Sequence, residues 1–377
     1  METMASTQRE NAPTETWIAL LGRKDVPADG IADYCSYLGQ NLVKHGIELK
    51  PYRLEWVRDG WLRALCDLLR QRKKWRGLWV LPQYTALAWS RRGFPVGILA
   101  AAAVLRLMGA RCAMVFHEPW GVSGPRAIDW IRGAFQNWTV RTLHRFARKS
   151  VFTIPLSSVP WLASHDAKSA SIPLGPNIPE NLNHRSTLET QNGSAKNVVV
   201  FCVSESPYGE REINDVAAAT RDVIQRGIKL RVTFVGRGTA EAKNTIDSEF
   251  AGTGIEVCNR GLCQAYEVTR IFTESDAMIA VRGKLYLRRG SALAALACGL
   301  PMVAYAGAAE EAIIKEAGIS LVPFGDRAAL GSALQEILTN PELWQEMHQK
   351  NIRFQQKYLS WSVIASSFSA FLRPGRE

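Results

Sequence analysis

The stretch Val281–Tyr305, VRGKLYLRRGSALAALACGLPMVAY, decides the fold. It opens at the end of a short apolar run, Ala277–Val281 (AMIAV), which reads as a buried strand. A basic loop follows with Arg282, Lys284, Arg288 and Arg289, and then Gly290 and Ser291. Ser291 is expected to cap an apolar helix over Ala292–Cys298, since a serine hydroxyl accepts from the first amides of a helix. Gly299 supplies the stop, Pro301 prevents continuation, and Met302–Tyr305 returns as a strand. A cationic, glycine-bearing loop at a helix N-terminus is also the physical recipe for a phosphate site. Free amides and the helix dipole meet the anion there, and arginine forks neutralise the rest. The same pattern fits a solvated turn with surface arginines, and this window alone leaves both readings open.

The strand–loop–helix rhythm extends in both directions. Toward the C-terminus, strands are expected at Val198–Val203, Leu230–Val235, Ile255–Cys258 and Ser320–Val322, with a helix capped by Asp326 and a helical tail from Pro341. Toward the N-terminus, Trp17–Leu21 (WIALL), Ile47–Lys50, Leu78–Leu81, Cys112–Phe116 and Val151–Ile154 are expected strands. Helices are expected over Tyr34–His45, Gly60–Lys74 with Asp59 as cap, Phe94–Met108 and residues 128–149. The polar stretch 181–196 reads as a linker. At 377 residues the chain exceeds one ordinary core. The expected organisation is a disordered leader over 1–16, an α/β domain over 17–180 and the linker. A second α/β domain follows over 197–350, and a last helix over 351–377 packs back on the first domain. Two Rossmann-like, doubly wound parallel domains would face a central cleft.

Charge is uneven. Residues 1–180 hold 24 Lys+Arg and 14 Asp+Glu, or +10; the remainder holds 22 and 21, or +1. The basic first half suggests an anionic surface partner, such as a membrane. The helix ending in Arg70-Gln71-Arg72-Lys73-Lys74-Trp75-Arg76 could lie on such a bilayer, or pack on a sheet with a solvated basic end. Seven cysteines without a Cys-x-x-Cys argue against a disulfide framework or a zinc site, and point to a reducing cytoplasm. The longest apolar run, Phe94–Leu105, is too short for the roughly 20 residues of a membrane span. A phosphate-loop motif, a full dinucleotide fingerprint and a nucleophile elbow are all missing, so nucleotide hydrolysis, hydride transfer and acyl hydrolysis lack support. Arginines and tryptophans interleave near Trp61–Trp75, but no nucleic-acid module accompanies them, and no nucleic-acid partner is expected.

Two further features mark candidate chemistry. The strand Cys112–Phe116 runs into His117-Glu118, and polar groups at the carboxyl end of a parallel strand sit where such sheets bind ligands. Gly236-Arg237-Gly238 follows another strand and places a second arginine at a strand end.

Taken together, IPLGPNIP (172–179), FVGRG (Phe234–Gly238), RRGSALAALACGLPMVA (288–304) and VPFGDRAALGSALQEILTNPEL (322–343) resemble the carboxyl-terminal domain of retaining glycosyltransferases with the GT-B fold, family four. Asp29–Leu49 is similar to that family's glycine loop, with Gly30 and Asp33, and to its first helix; His117 is similar to its strand-end histidine. The resemblance implies hexosyl transfer with retention, without a metal or other cofactor, from a nucleotide sugar, with a UDP- or GDP-sugar expected. The acceptor would be a glycan or lipid-linked saccharide, in polysaccharide or glycoconjugate biosynthesis at the cytoplasmic face of a membrane. The chain contains no Asp-x-Asp for a cation, so side-chain cations must take up leaving-group charge.

The chain departs from the family at three places. Tyr286 and Ala294 stand where the family has glutamates, and Tyr208 stands where it has a lysine. Arg237, Lys284, Arg288, Arg289, Gly290 and Ser291 are the candidates for the diphosphate, and Glu310 and Glu311 for donor sugar or ribose. His117 and Glu118 are the candidate catalytic pair. The alternative is a non-catalytic GT-B-like scaffold or nucleotide-sugar-binding protein.

Overall fold

The computed structural model describes residues 14–26, 29–121, 124–163, 166–179, 194–286, 289–307 and 314–373. The chain divides into two compact units, Met1–Leu174 with Trp361–Glu377, and Gly175–Ser360. In the first, six strands lie in the order β2-β1-β3-β4-β5-β6, every pairing parallel. They are β1 Glu15–Leu21, β2 Ile47–Arg53, β3 Trp79–Tyr84, β4 Arg111–Phe116, β5 Lys149–Phe152 and β6 Ser169–Ser171.

Strand β1 shows why its sequence is a continuous apolar run. Successive side chains point to opposite faces. Trp17, Ala19 and Leu21 pack with Leu38 of α1 (Gly30–Leu42) and with Ile364 and Phe368 of the last helix, Trp361–Leu372. Ile18 and Leu20 join Leu68, Ile98 and Val140 from α3 (Trp61–Arg70), α5 (Val96–Leu107) and α6 (Ala127–Phe146). Helices on both faces leave no polar side to alternate with.

The second unit repeats the plan in the order β12-β11-β10-β7-β8-β9, again all parallel. Its strands are β7 Lys196–Phe201, β8 Leu230–Val235, β9 Glu256–Gly261, β10 Ala277–Ala280, β11 Met302–Tyr305 and β12 Ile319–Val322. Val198 and Val200 pack with α7 (Tyr208–Gln225) and the helix Arg327–Thr339. Val199 packs on the other face with α9 (Ala265–Glu274) and α10 (Gly290–Ala297). The strand order reverses between β1 and β3 in one sheet and between β7 and β10 in the other, and such switch points open ligand crevices at the strands' carboxyl ends.

Several local boundaries differ from the sequence reading. β1 begins at Glu15, inside the expected leader, and the first unit ends at Leu174, not at residue 180. Of the expected linker, residues 181–193 lie outside the described residues. Helix α1 begins at Gly30 because the Asp29 carboxylate caps it, accepting from Ala32 N at 3.2 Å. Gly30 and Asp33 therefore occupy its first turn and not a loop. Ser291 is not the cap of α10: Arg289 holds that position without a capping side-chain hydrogen bond, and Ser291 falls inside the first turn.

Asp59 ends a short helix, α2 (Trp56–Asp59), and pairs with Arg58 at 2.9 Å, leaving Gly60 at the cap of α3. The basic run is broken after Arg70, and Trp75 inside it is 4% exposed, edge-on to Tyr52 at 4.9 Å. Trp61 stacks on Trp56 at 5.1 Å. Trp61, Leu65 and Leu68 of that helix thus pack on the core, while Leu62 and Leu69 of its apolar side are exposed. The C-terminal tail is two pieces. Pro341–Phe354 belongs to the second unit, where Trp344 Nε1 donates to Asp276 O at 2.7 Å. After Ser360 the chain enters the first unit, where Trp361 stacks on Tyr37 at 5.6 Å and meets Tyr34 at 5.3 Å.

Candidate functional site

The second unit's switch point is shaped first by the turn after β8. Val203 N donates to Arg237 O at 2.9 Å, and Cys202 N to Val235 O at 2.8 Å, so this turn lies directly against the chain leaving β7. A Cβ on Gly238 would sit 2.1 Å from Val203 O, at a φ of +84°. Only glycine fits there, which explains the Gly-Arg-Gly sequence. Gly238→Ala is expected to destabilise the protein by about 2–4 kcal/mol through backbone strain and displacement of β7. Urea unfolding of the variant beside the parent measures it.

Two loops then meet at the carboxyl ends of β7 and β10. Ser204 is fixed from below by Glu212 of α7, whose buried carboxylate accepts from Ser204 N at 2.8 Å and Ser204 Oγ at 2.7 Å. Arg282, one residue beyond Val281, donates from Nε to Ser204 Oγ at 3.4 Å and so links the two loops. A narrow cavity here is lined by Phe201, Cys202, Arg282, Gly283, Arg289 and Ser291 among others. Burial pushes the Cys202 thiol up, opposed by the Arg282 charge. The Arg289 guanidinium lies 5.8 Å over the Tyr286 ring. No side chain caps α10, so the amides of its first turn and the positive end of its dipole are left for solvent or an anion. Behind the cavity, buried Asp215 accepts from Tyr305 Oη at 2.8 Å and pairs with Arg327 at 2.6 Å, pinning β11 to α7.

Of the residues expected at a diphosphate, Arg289 and Ser291 line this cavity and Gly290 opens the helix beside it. The structure adds Arg282, which sequence reasoning had placed in the loop without a role. Arg237 and Lys284 are exposed and are not among the lining residues. Arg288, Glu310 and Glu311 lie outside the described residues. Ala294 is fully buried in the apolar cluster of α10, where a glutamate would need a partner of its own. Glu212 was missed because a lone acid eight residues past Ser204 carries no local pattern.

In the first unit, His117 follows β4 directly and its N–H donates to Tyr84 O at 3.0 Å. The imidazole Nε2 lies 2.9 Å from Gln83 Oε1, while the Gln83 amide nitrogen donates to Leu81 O at 3.0 Å. That second bond orients the amide so that its oxygen faces the ring. The proton is therefore on Nε2, and Nδ1 is the basic nitrogen. Burial pushes the imidazole down to about 4, so it is neutral at pH 7. Tyr34 meets it edge-on at 5.2 Å. Glu118 is half-buried, and its charge adds to the burial that pushes the Tyr84 phenol up. Gln83 had been hidden in an apolar strand. Arg53 holds Asp29 at 2.6 Å and Gly22 O at 2.7 Å, so the end of β1 is tied to the start of α1. Gly30 and Asp33 lie on that helix's exposed first turn.

Among the described residues, no three His, Cys, Asp or Glu side chains are grouped as metal ligands. No described helix is long and apolar enough to cross a membrane.

Residues 197–340 match the family profile of glycosyl transferases group 1, so the second unit carries that domain. Solved structures share the fold across nearly the whole chain. Anabaena HepE, in complex with UDP and glucose, is 15% identical with a TM-score of 0.66, covering 95% of this chain and 99% of its own. A glycosyltransferase from Rickettsia africae is 12% identical with a TM-score of 0.66, over 97% and 100%. Sucrose-phosphate synthase from Thermosynechococcus elongatus is 17% identical with a TM-score of 0.64, over 95% and 98%. A search of curated proteins finds no match. The fold is GT-B, two Rossmann-like units, and the match to glycosyl transferases group 1 lies within the second of them.

Proposed function

We propose that the protein transfers a hexosyl group from a nucleotide sugar, a UDP- or GDP-sugar, to a glycan or lipid-linked saccharide, with retention and without a metal or other cofactor. One observation carries the reading. Within a group 1 domain, Arg282, Arg289 and the uncapped start of α10 converge on one cavity at the sheet's switch point. The cavity itself, about 10 Å³, holds little more than one water, so a diphosphate would lie across its mouth, where guanidinium forks and helix amides stabilise it as it leaves. His117, neutral and with a basic Nδ1, serves as hydrogen-bond acceptor to a sugar hydroxyl at the strand end, and Glu118 supports it. Incubation with labelled UDP- and GDP-sugars in chelator, with proton NMR of the new anomeric centre, tests the reading. Release of nucleotide without a new glycosidic bond in any acceptor pool would refute it.

The second reading is a scaffold that binds a nucleotide sugar without turnover. Tyr286 and Ala294, which leave no carboxylate at those two places, favour it. It predicts donor binding with no product.

The acceptor's location is read from α6. Trp130, Ile131 and Trp138 are 76%, 61% and 53% exposed and fall on one helix face, which continues into exposed Arg141 and Arg145. Exposed aromatics followed by cations on one face fit the interface of an anionic bilayer, at the cytoplasmic face of a membrane. Trp130→Ser with Trp138→Ser is expected to cut binding to phosphatidylserine vesicles at least about tenfold, the equivalent of two aromatic anchors. Flotation measures it; parent protein left wholly in the soluble fraction would contradict the membrane reading.

A further inference from the structure

The first unit holds a basic cavity at the end of its sheet opposite His117. Its volume is about 420 Å³, and Glu15, Trp79, Arg111, Arg148, Lys149 and Arg373 line it. Glu15, Trp79, Arg111 and Lys149 are the first residues of β1, β3, β4 and β5. His117 follows the far end of β4, about 20 Å away at the rise of a strand. We propose that this cavity is a binding site for a small phosphorylated ligand, separate from the sugar-transfer chemistry.

Charge is the first argument. Four cations share the cavity with one carboxylate, a balance of 4 − 1 = +3. That carboxylate is already engaged: Glu15 pairs with Arg373 Nε at 2.7 Å and accepts from Trp17 Nε1 at 2.9 Å. Cations gathered at one cavity repel one another until an anion joins them.

Hydrogen bonding is the second. Trp79 is 4% exposed, and its buried indole N–H has no acceptor among the described residues; the same holds for Arg373 Nη2. Buried donors without acceptors are rare in folded proteins and mark places where a partner is expected. Neither group can accept, so a partner must supply an acceptor to each, which a phosphoryl group's several oxygens do while also meeting the surrounding cations. The frame is rigid: Arg373 also donates to His45 O at 2.9 Å, and Lys149 donates to Ala167 O at 3.0 Å. Lys149 Nζ lies 4.5 Å over the Phe371 ring. The volume falls within the range of small-ligand pockets, roughly 300–1,000 Å³.

The test uses the whole chain labelled with nitrogen-15 at tryptophan, titrated with inorganic phosphate and pyrophosphate. The Trp79 indole resonance, assigned through Trp79→Phe, is expected to move and saturate. Arg111→Gln with Arg148→Gln is expected to weaken the response at least about tenfold, as loss of charge-assisted bonds does. The Arg282→Ala/Arg289→Ala protein, which removes the proposed donor site, is expected to keep the full Trp79 response, so the two sites fail separately. Calorimetry with pyrophosphate in that background reads the same arginine dependence without any assignment. No movement at millimolar pyrophosphate would overturn the proposal. Equal movement with sodium chloride at matched ionic strength, or an unchanged response in the Arg111/Arg148 protein, would do so as well.

Discussion

Replacing Arg282 and Arg289 together by alanine is expected to lower kcat/KM for the nucleotide sugar by about 10²–10⁴, the worth of two charge-assisted contacts to a diphosphate. Both side chains line the cavity between β7 and α10, and on the proposed function a leaving nucleotide diphosphate would develop its charge there in the transition state. The loss should appear in kcat as well as in KM, because the charge to be neutralised grows as the glycosidic bond breaks. Arg289→Lys should recover little, since an ammonium cannot offer the two parallel donors of a guanidinium or stack as well on Tyr286. Lys284→Ala, an exposed cation outside the lining, is expected to cost less than about tenfold. Steady-state kinetics on the three variants ranks them; a Lys284 effect equal to that of the arginines would move the phosphate site to the loop's outer face.

His117→Asn is expected to reduce turnover by about 10²-fold or more, the range for removing a positioned hydrogen-bonding or acid–base group, while donor affinity is kept. The Gln83 amide fixes the imidazole tautomer, so Gln83→Leu should lower turnover in the same direction by freeing the ring and orphaning a buried nitrogen. The histidine also carries a pH signature. Its folded pKa is depressed to about 4 by burial, so below the ordinary value the unfolded chain takes up a proton that the native state refuses. Stability is full above about pH 6.5 and falls as the pH drops toward 4, by at most about 3 kcal/mol from this group. Urea midpoints between pH 7 and 4 measure the slope, and His117→Asn should flatten part of it.

The architecture was legible because central strands of doubly wound sheets are apolar on both faces, and WIALL and AMIAV show this without help from distant contacts. The strand-end position of His117 could be read for the same reason. Caps were harder. Ser291 has the right chemistry for one, but the helix begins at Gly290, two residues before the expected start, and Asp29 takes the role at α1 through a bond that the surrounding polar loop disguises. The basic run around Trp75 left a bilayer-lying helix and a sheet-packed one equally open because charge is local, whereas the ring's contact with Tyr52 lies 23 residues upstream in sequence. The last helix was expected to join the first unit from residue 351, but the chain crosses only after Ser360; the tail from Pro341 is helical almost throughout, so nothing local marks the break. Arg282 shows the same limit within the site. Its role appears only when Ser204, 78 residues earlier, is brought within 3.4 Å.

Calorimetric titration with UDP-, GDP-, ADP- and TDP-sugars in chelator tests the central claim most directly, run on the parent and on Arg282→Ala/Arg289→Ala. The account predicts that a UDP- or GDP-sugar binds the parent without metal and that the double variant loses at least about 100-fold in affinity. Binding of none of the four, or equal binding to both proteins, would contradict it.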